Sequence, residues 1–455
     1  MCHSVQWTGL KDANRKGCQD RSMLEIKGPS RVAPARSQAV APRLPGGAFA
    51  WAVVLLLVPV VLLNYLDRQM LSTMRGAIAT ELPDLRSKEN WGMALASFKW
   101  TYALLSPLGG LVADRVSKGP LLALSLGGWS AVTWWTGHVS GYGELLAARA
   151  LMGVSEAFYM PTALALIAEL HSQQTRSKAV GVHQAGIYLG QILGGFGGYV
   201  AESPALGWRW AFEWAGIAGL GYALPLLWIL SRRTSRAMAP CASENGTRPA
   251  GNAWGELLSN RNFLLMMAYF TLPAIAAWVV RDWMPDILRE KFGLGQGRAG
   301  VSAILYLQIA SIVGAIGGGS LADRWERHRA RGRIYTSALG TLLFLPALFC
   351  VGNASTLSMA IGGLLLFGLG WGLFDCNNMP ILCLIAPRER RATGYGLMNM
   401  VSLLCGGAGD WIFGVLRDRG VPLQAIFGVF AGVALVSVVF LLLIRPSLPP
   451  SEAST

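Results

Sequence analysis

The sequence predicts an all-α membrane protein of twelve transmembrane helices, arranged as two pseudo-symmetric six-helix bundles. Three observations support this fold class. The 455 residues are 53% hydrophobic and only 14% charged, whereas ordinary soluble proteins have about a quarter of their residues charged. Most of the surface must therefore face something other than water, and lipid is the candidate. Apolar segments long enough to span a bilayer also recur along the chain, and one short motif occurs at equivalent places in both halves.

A basic tail precedes the first apolar segment. Residues 1–46 are rich in Lys, Arg, Pro, Ser and Gly and have no apolar core, which predicts a disordered cytoplasmic tail rather than a signal peptide or a domain. Beyond this tail, each apolar segment approaches or exceeds the roughly twenty residues that a spanning helix needs. The expected spans are 50–77, 91–113, 119–138, 143–168, 178–202, 209–230, 261–288, 297–321, 333–352, 356–385, 391–416 and 423–444.

The longest connection divides these spans six from six. It is polar and Arg-rich, and we interpret 231–260 as a cytoplasmic loop between an N-terminal bundle, 47–230, and a C-terminal bundle, 261–445. Residues 446–455 form a second cytoplasmic tail. Lys and Arg are much more frequent in the tails and in the loops on their side than in the opposite loops. The positive-inside rule therefore predicts cytoplasmic termini in a multi-pass protein of the cell's inner or plasma membrane.

Composition and motifs exclude several functions. The net charge of +14 does not indicate nucleic-acid binding, because the Lys and Arg residues lie in short runs between apolar stretches. The seven Cys form no CxxC pair and have no His at metal-ligand spacing, so we expect free thiols, no metal and no cofactor. The chain contains no HExxH sequence and no convincing Ser-nucleophile motif, which disfavours an enzyme.

One motif closes the second span of each half. It reads GGLVADR at 109–115 and GGSLADR at 318–324. Two similar bundles can rock about a site at their interface, which is typical of secondary transporters. The twelve-span plan, the central loop and the G-x-x-A-D-R turn resemble the major facilitator superfamily from about residue 50 to 445.

This resemblance implies a clasp that holds the cytoplasmic side together when the carrier faces outward. Its glycines let helix ends approach closely, and its Asp is expected to accept hydrogen bonds at a neighbouring helix start. Where the family has a Gly three residues after the Asp, this chain has Ser117 and Glu326, which weakens the expected clasp. The clasp residues are Gly110, Asp114, Arg115, Asp323 and Arg324.

Charged residues inside spans are the first candidates for function, because each is costly unless paired, hydrated or neutralised. They are Asp67, Arg68, Arg75, Lys99, Arg149, Glu156, Arg281, Asp282, Asp375 and Asp410. Asp67 and Arg68 lie either among the headgroups at a helix end or within the bundle, since the helical apolar spacing continues past them. Arg281 and Asp282 are expected to neutralise each other near the outer end of the seventh span.

The fourth span carries Arg149 and Glu156, which are two helical turns apart and share a face. If an anionic substrate draws Arg149 or Arg68 away from its carboxylate, the freed carboxyl prefers to bind a proton. That exchange would link anion binding to proton uptake. A fixed structural ion pair between helices is the alternative.

Further motifs resemble one branch of the superfamily, the anion:cation symporters. This branch includes bacterial hexuronate and galactonate carriers and the sialin and vesicular glutamate group. The similar stretches are N-Y-L-D-R at 64–68, R-x-x-x-G-x-x-E-A at 149–157 and SFKWTYAL at 97–104. The resemblance implies that Arg68 and Tyr102 bind the substrate carboxylate. It also implies that Asp67 and Glu156 carry protons and that Arg149 pairs with Glu156.

Spinster-like lipid carriers resemble the chain almost as well. They share N-Y-x-D-R, and their R-x-x-x-G-V-G-E-A-S-Y stretch is similar to residues 149–159. Pro161 and the pattern of the second span favour the symporter branch instead.

Four more polar residues are candidates for substrate contact. Lys99 shares a face with Tyr102 and is either a second anion contact or a side chain that reaches outward. Gln184, Asn378 and Asn399 could hydrogen-bond sugar hydroxyls or join neighbouring helices.

The sequence thus predicts a proton-coupled symporter of a small organic anion, such as a hexuronate or another sugar acid, that works by alternating access. The expected partners are this anion and the lipid bilayer, with the proton as coupling ion and a monomer as the working unit. A Spinster-like lipid or lysolipid carrier is the alternative. A non-transporting membrane sensor on the same fold is a third possibility.

Overall fold

Long apolar helices alternate with short polar turns throughout the chain. The computed structural model describes residues 47–113, 115–237, 253–329, 331–387 and 390–445. The predicted tails and residues 238–252 of the predicted central loop lie outside the described residues. The helices are α1 (Gly47–Thr73), α2 (Arg75–Glu81), α3 (Lys88–Ala113), α4 (Lys118–Thr136), α5 (Tyr142–Glu156), α6 (Tyr159–Leu170), α7 (Gln173–Gly195), α8 (Gly197–Glu202), α9 (Gly207–Ala237), α10 (Ala253–Ser259), α11 (Arg261–Phe292), α12 (Gln296–Glu326), α13 (Gly332–Leu342), α14 (Phe344–Asn353), α15 (Leu357–Cys383), α16 (Arg391–Asp418) and α17 (Leu423–Leu443).

These helices build the twelve predicted spans. Two spans are bent pairs, α5 with α6 and α13 with α14. The first and fifth spans each continue from a long helix into a short one, α1 into α2 and α7 into α8, and each of the other eight is one long helix. Within the described residues, nine spans are long and apolar enough to cross a membrane by composition alone, and α3, α4 and α7 supply the rest. Large apolar side chains such as Leu55, Leu224, Ile316 and Val429 remain exposed on the outside, as lipid contact requires. The predicted all-α membrane fold is confirmed.

The bend between α5 and α6 follows from a proline. Pro161 is the third residue of α6 and has no N–H to donate to the carbonyl of Ala157, four residues earlier. Gly109 of α3 lies so close to that carbonyl that an added Cβ would collide with it. The bend therefore lets α3 pack tightly against the fourth span, next to Glu156 at the end of α5.

The two bundles meet along two seams. Helices α1–α9 form the N-terminal bundle and α11–α17 the C-terminal bundle; α3 packs on α16 and α7 packs on α12. Glycines permit backbone contact in both seams, with Gly92 and Gly414 between α3 and α16, and Gly195 and Gly300 between α7 and α12. We call the end where α1 begins and α17 finishes the proximal end, and the opposite end the distal end.

A carboxylate of the C-terminal bundle caps a helix of the N-terminal bundle at the distal end. Asp418, the last residue of α16, accepts hydrogen bonds from Ser87 Oγ at 2.8 Å and from the N–H groups of Lys88 at 3.0 Å and Glu89 at 2.9 Å. These donors lie at the start of α3, where backbone N–H groups lack partners and the helix dipole favours a negative charge.

The N-terminal bundle caps the C-terminal bundle in the same way. Glu202, the last residue of α8, accepts hydrogen bonds from the N–H groups of Gln296 and Gly297 at the start of α12, the second at 3.2 Å. We call Asp418 and Glu202, with their helix starts, the distal caps. Because each cap joins one bundle to the other, both caps must break when the bundles part at this end.

A buried ion pair supports the distal caps. Arg75 of α2 pairs with Asp286 of α11, and the N–H of Ala77 donates to Gln296 Oε1 at 3.0 Å. In the part of the chain that the structure describes, the hydrogen bonds and ion pairs between the bundles lie from the middle of the spans to the distal end. The bundles are thus held together on the distal side.

Candidate functional site

A narrow cleft lies between the two bundles. Four helices of the N-terminal bundle and α11 of the C-terminal bundle form its walls. The lining residues are Tyr65, Arg68, Gln69, Leu95, Phe98, Lys99, Arg149, Gln191, Trp278, Arg281 and Asp282. The cavity volume within it is only about 30 Å³, well below the range of about 300–1,000 Å³ for small-molecule sites, so the cleft is narrow in this conformation. Aromatic rings and cations dominate the walls.

Arg68 of α1 is paired with Glu156 of α5. Arg68 Nε donates to Glu156 Oε2 at 2.8 Å, and a second guanidinium nitrogen contacts the same oxygen. The guanidinium also lies over the rings of Tyr65 (4.8 Å), Phe98 (4.6 Å) and Tyr102 (5.1 Å). Glu156 is fully buried, so the pair lies within the bundle. The placement of Arg68 among lipid headgroups is therefore wrong.

Asp67 faces a different direction from its neighbour Arg68. It is buried, and Thr133 Oγ1 of α4 donates to Asp67 Oδ2 at 2.8 Å. Asp67 is not among the cleft-lining residues, so it sits behind the wall rather than in it. Its role as a proton carrier stays a prediction.

Arg149 does not pair with Glu156, and the predicted contact between them is wrong. Its guanidinium instead donates to the sulfur of Met152 at 2.9 Å and lies 4.8 Å from the ring centre of Phe98. Arg68, which approaches from another helix, occupies the carboxylate in its place. Arg149 is therefore a buried cation that faces the cleft without a carboxylate contact among the described residues.

Lys99 of α3 contacts two carboxylates of the other bundle. Its ammonium group forms ion pairs with Asp282 of α11 and Asp410 of α16. We call these three residues the interface cluster. The expectation that Lys99 reaches outward is wrong, and so is the expected pairing of Asp282 with Arg281, because Lys99 takes Asp282 instead.

Arg281 is the second cleft cation without a carboxylate contact in the described structure. Its guanidinium carbon lies 5.3 Å from the ring centre of Trp278 and 5.7 Å from that of Trp371. Cation–π contacts of this kind stabilise a desolvated cation by about 1–2 kcal/mol. They do not neutralise it.

The remaining substrate candidates lie outside the cleft lining. Gln184 is half-buried on α7, and Gln191, two turns later, lines the cleft instead. Asn378 is buried within α15 and Asn399 is half-buried on α16. The ring of Tyr102 packs against the Arg68 guanidinium, and Tyr102 is not among the residues that line the cleft. Their contact with substrate stays a prediction.

The structure describes most residues of the predicted clasp. Gly110 has open space around it and Arg115 is exposed, while Asp114 lies outside the described residues. Asp323 accepts from Arg333 of its own bundle at 2.7 Å. The clasp is expected when the cytoplasmic side is closed, whereas here the bundles are held together at the distal end, so the role of Asp323 in a clasp stays a prediction.

Two more charged residues belong to the second motif. Arg324 is exposed. Glu326, which stands where the family has Gly, pairs with Arg333 at 2.8 Å. Both acidic residues of the second motif therefore contact Arg333 of their own bundle.

Several lining residues were not among the predicted site residues, and Trp278 and Gln69 are two of them. Trp278 is one of many aromatic residues in the sequence. Its position between Lys99 and Arg281 becomes evident only in the folded protein. Gln69 directly follows the Asp67–Arg68 pair, and that adjacency was the available signal.

Buried charges in a cleft between two pseudo-symmetric bundles of membrane helices define a multi-pass membrane protein of the transporter class. Comparison with protein families agrees with this class. The model described as Major Facilitator Superfamily matches residues 57–409, so the chain belongs to that superfamily.

Several known proteins are similar to this chain over most of its length. Protein spinster of Drosophila melanogaster is 26% identical over 409 residues, which cover 86% of this chain and 64% of the fly protein. The chain thus spans less than two thirds of that relative. An MFS-type efflux pump of Mycolicibacterium smegmatis is 28% identical over 373 residues, covering 81% of this chain and 85% of the pump.

A solved structure shares the fold. It is the crystal structure of a bacterial homolog of the human lysosomal transporter Spinster, in an inward-facing and unoccupied conformation. It superposes with a TM-score of 0.70 at 19% identity and covers 88% of this chain and 96% of that one. Spinster-like proteins are thus among the relatives, whereas these matches give no specific support to the anion:cation symporter branch.

Proposed function

We propose that the protein is a proton-coupled secondary transporter of a small organic anion, such as an acidic sugar. The observation that carries this proposal is the presence of Arg149 and Arg281 in one cleft, neither of them in contact with a carboxylate of the described residues. Arg149 is buried and Arg281 is half-buried, and a cation inside a membrane protein with no counter-ion in direct contact is costly. A bound anion would remove that cost for both.

The two guanidinium groups belong to opposite bundles. Guanidinium groups bind carboxylates through paired, charge-assisted hydrogen bonds. An anion held by Arg149 of α5 and Arg281 of α11 would therefore favour an arrangement in which both bundles close on it, which is the requirement of alternating access. The rings of Tyr65, Phe98 and Trp278 offer apolar surface to the rest of the substrate.

The Arg68–Glu156 pair supplies a route to proton coupling. An anion that competes for Arg68 leaves Glu156 without its cation in a fully buried position. A carboxylate in that position is favoured in its protonated form. Anion and proton would then load together. In this proposal the proximal end faces the cytoplasm of a cell with the protein in its inner or plasma membrane.

A lipid or lysolipid carrier is the second candidate, because Spinster proteins are among the relatives. Both candidates share an anionic group held by the cleft cations.

Purified protein in liposomes tests these candidates. Radiolabelled sugar acids should accumulate when the external buffer is made acidic, and a protonophore should abolish the accumulation. No accumulation across a broad panel of sugar acids would contradict the leading proposal. Movement of a fluorescent lysophospholipid instead would support the second candidate, and movement of neither would favour a sensor.

A further inference from the structure

We propose that the interface cluster is a second proton-binding site, placed between the two bundles. The cluster consists of Lys99 on α3, Asp282 on α11 and Asp410 on α16. This inference deepens the proposed proton coupling and rests on it.

The charges of the cluster do not balance. One ammonium group faces two carboxylates, so one negative charge is left over when both carboxylates are ionised. Asp410 is fully buried, and its Oδ1 has no hydrogen-bond partner in the described structure. One proton on this pair removes the excess charge and provides an O–H donor between the two acids.

Arg68 of α1, which is paired with Glu156, lines the same cleft, and Asp375 of α15 interacts electrostatically with Arg281. The two cleft cations without a carboxylate contact in the described structure are Arg149 from α5 and Arg281 from α11. Neither guanidinium contacts Asp282 or Asp410. Trp278 lies between two cations, with Lys99 Nζ at 4.6 Å and the Arg281 guanidinium carbon at 5.3 Å from its ring centre. At a distance, both guanidinium groups offset the excess charge of the cluster.

Substrate binding changes this balance. An anion held by Arg149 and Arg281 takes up their charge, and the excess negative charge of the cluster is then uncompensated. A proton restores neutrality in a region from which water is largely excluded. The event that loads the anion therefore also favours loading of this proton.

The position of the cluster connects the proton to the movement of the bundles. Lys99 belongs to the N-terminal bundle, whereas both carboxylates belong to the C-terminal bundle. One residue further along α3, Trp100 Nε1 donates to the carbonyl of Leu404 of α16 at 3.0 Å. A proton on Asp282 or Asp410 weakens the attraction of Lys99 across this seam and eases the sliding of α3 along α16.

Two matched variants test the proposal. Asp282→Asn and Asp410→Asn each leave a neutral Lys99–Asp pair of nearly unchanged size, so each removes the need for the proton. Asp84→Asn, at an exposed position of the distal end, is the control. Equilibrium accumulation of a transported sugar acid is measured in liposomes at several imposed pH gradients, with the membrane potential held at zero.

Each coupled proton contributes about a tenfold accumulation per pH unit of gradient. Both cluster variants should therefore accumulate about tenfold less than the wild type at a gradient of one unit, while Asp84→Asn matches the wild type. Counterflow exchange, which needs no net proton movement, reports whether each variant folds and binds. Wild-type accumulation in both cluster variants would overturn the cluster proposal and leave the proposed function intact.

If the wild type accumulates no anion, the proposed function is contradicted. The proton site is then tested by a direct measurement of carboxyl protonation. Infrared difference spectra of the purified protein between neutral and acidic buffer report protonated carboxyl groups. The proton site predicts a signal that Asp282→Asn and Asp410→Asn both lack and Asp84→Asn retains. An identical signal in all four proteins would overturn it.

Discussion

Asp418→Ala removes the cap that the C-terminal bundle places on α3. Three donors, Ser87 Oγ and the N–H groups of Lys88 and Glu89, lose their acceptor and turn to water. Loss of a helix cap costs about 0.5–2 kcal/mol, and loss of a carboxylate at a helix start costs about 0.3–1 kcal/mol. These contributions overlap, so we expect a cost of about 1–2 kcal/mol, which corresponds to a factor of about 5–30.

This cost falls on only one conformation. The distal caps join the two bundles, so they exist when the distal end is closed and are absent when it is open. Asp418→Ala should therefore raise the ratio of distal-open to distal-closed molecules by about 5–30-fold. Asp418→Asn retains an acceptor but loses the charge, and we expect a smaller shift.

Spin labels on opposite bundles measure this ratio. Ala205 and Ser355 are exposed at the distal end, on the N-terminal and C-terminal bundle respectively. Labels at these positions, in a background in which the seven native cysteines are replaced by Ser, give a distance distribution by pulsed electron resonance. The fraction at longer distance should rise in Asp418→Ala and stay constant in Asp84→Asn.

The matching carboxylate gives an internal comparison. Glu202→Ala should produce a shift of similar size, and the double variant should produce about the product of the two shifts, because the caps are separate contacts with a common effect. An unchanged distance distribution, together with a lower thermal unfolding midpoint, would refute the reasoning. The cap would then stabilise α3 alone and not the closed state.

Three further predictions concern the cleft and the packing around it. Glu156→Gln should lower pH-driven accumulation in liposomes about tenfold at a gradient of one pH unit, the contribution of one coupled proton, while counterflow exchange continues, since the amide resembles the protonated acid; accumulation at the wild-type level would remove Glu156 from the coupling. Arg281→Met should raise the Kd of the anion about 10–100-fold in calorimetry, because a charge-assisted hydrogen bond contributes about 1.5–3 kcal/mol, and an unaltered Kd would exclude Arg281 from binding. Gly109→Val should lower the free energy of unfolding by about 1–3 kcal/mol, because its side chain would meet the carbonyl of Ala157. Gly110→Val is its control, with open space around it, and equal shifts of the unfolding midpoint would contradict this packing.

The sequence located the membrane helices and most of the charges in the cleft. Apolar segments of spanning length predicted every span, because lipid imposes one requirement on all of them. The cost of an intramembrane charge likewise identified Arg68, Lys99, Arg149 and Arg281 before any contact was known.

The partners of these charges were not predictable in the same way. Helical spacing relates only residues of one helix, and it joined Glu156 with Arg149 because they share a face of the fourth span. In the folded protein Arg68 reaches Glu156 from α1. Lys99 likewise finds Asp410 on α16, 311 residues away in the chain.

The distal caps left no signal in the sequence. Asp418 and Glu202 lie at helix ends next to loops, where acidic residues are ordinary surface residues. Which helix start each one meets depends on the packing of the two bundles. These two carboxylates act as helix caps between the bundles only because of the tertiary packing.

The distal caps have the geometry of an isologous interface within a single chain. Each is built by the end of the fifth span of one half and the start of the second span of the other half, so the same two surfaces meet twice. A symmetric homodimer has this property, because residue i of one subunit meets residue j of its partner and the reverse also holds. A half-length protein with one acid at the end of its fifth span would close its own dimer with two such contacts. Fusion of the two copies would then leave each half free to diverge along the cleft while the closing contact stayed common to both.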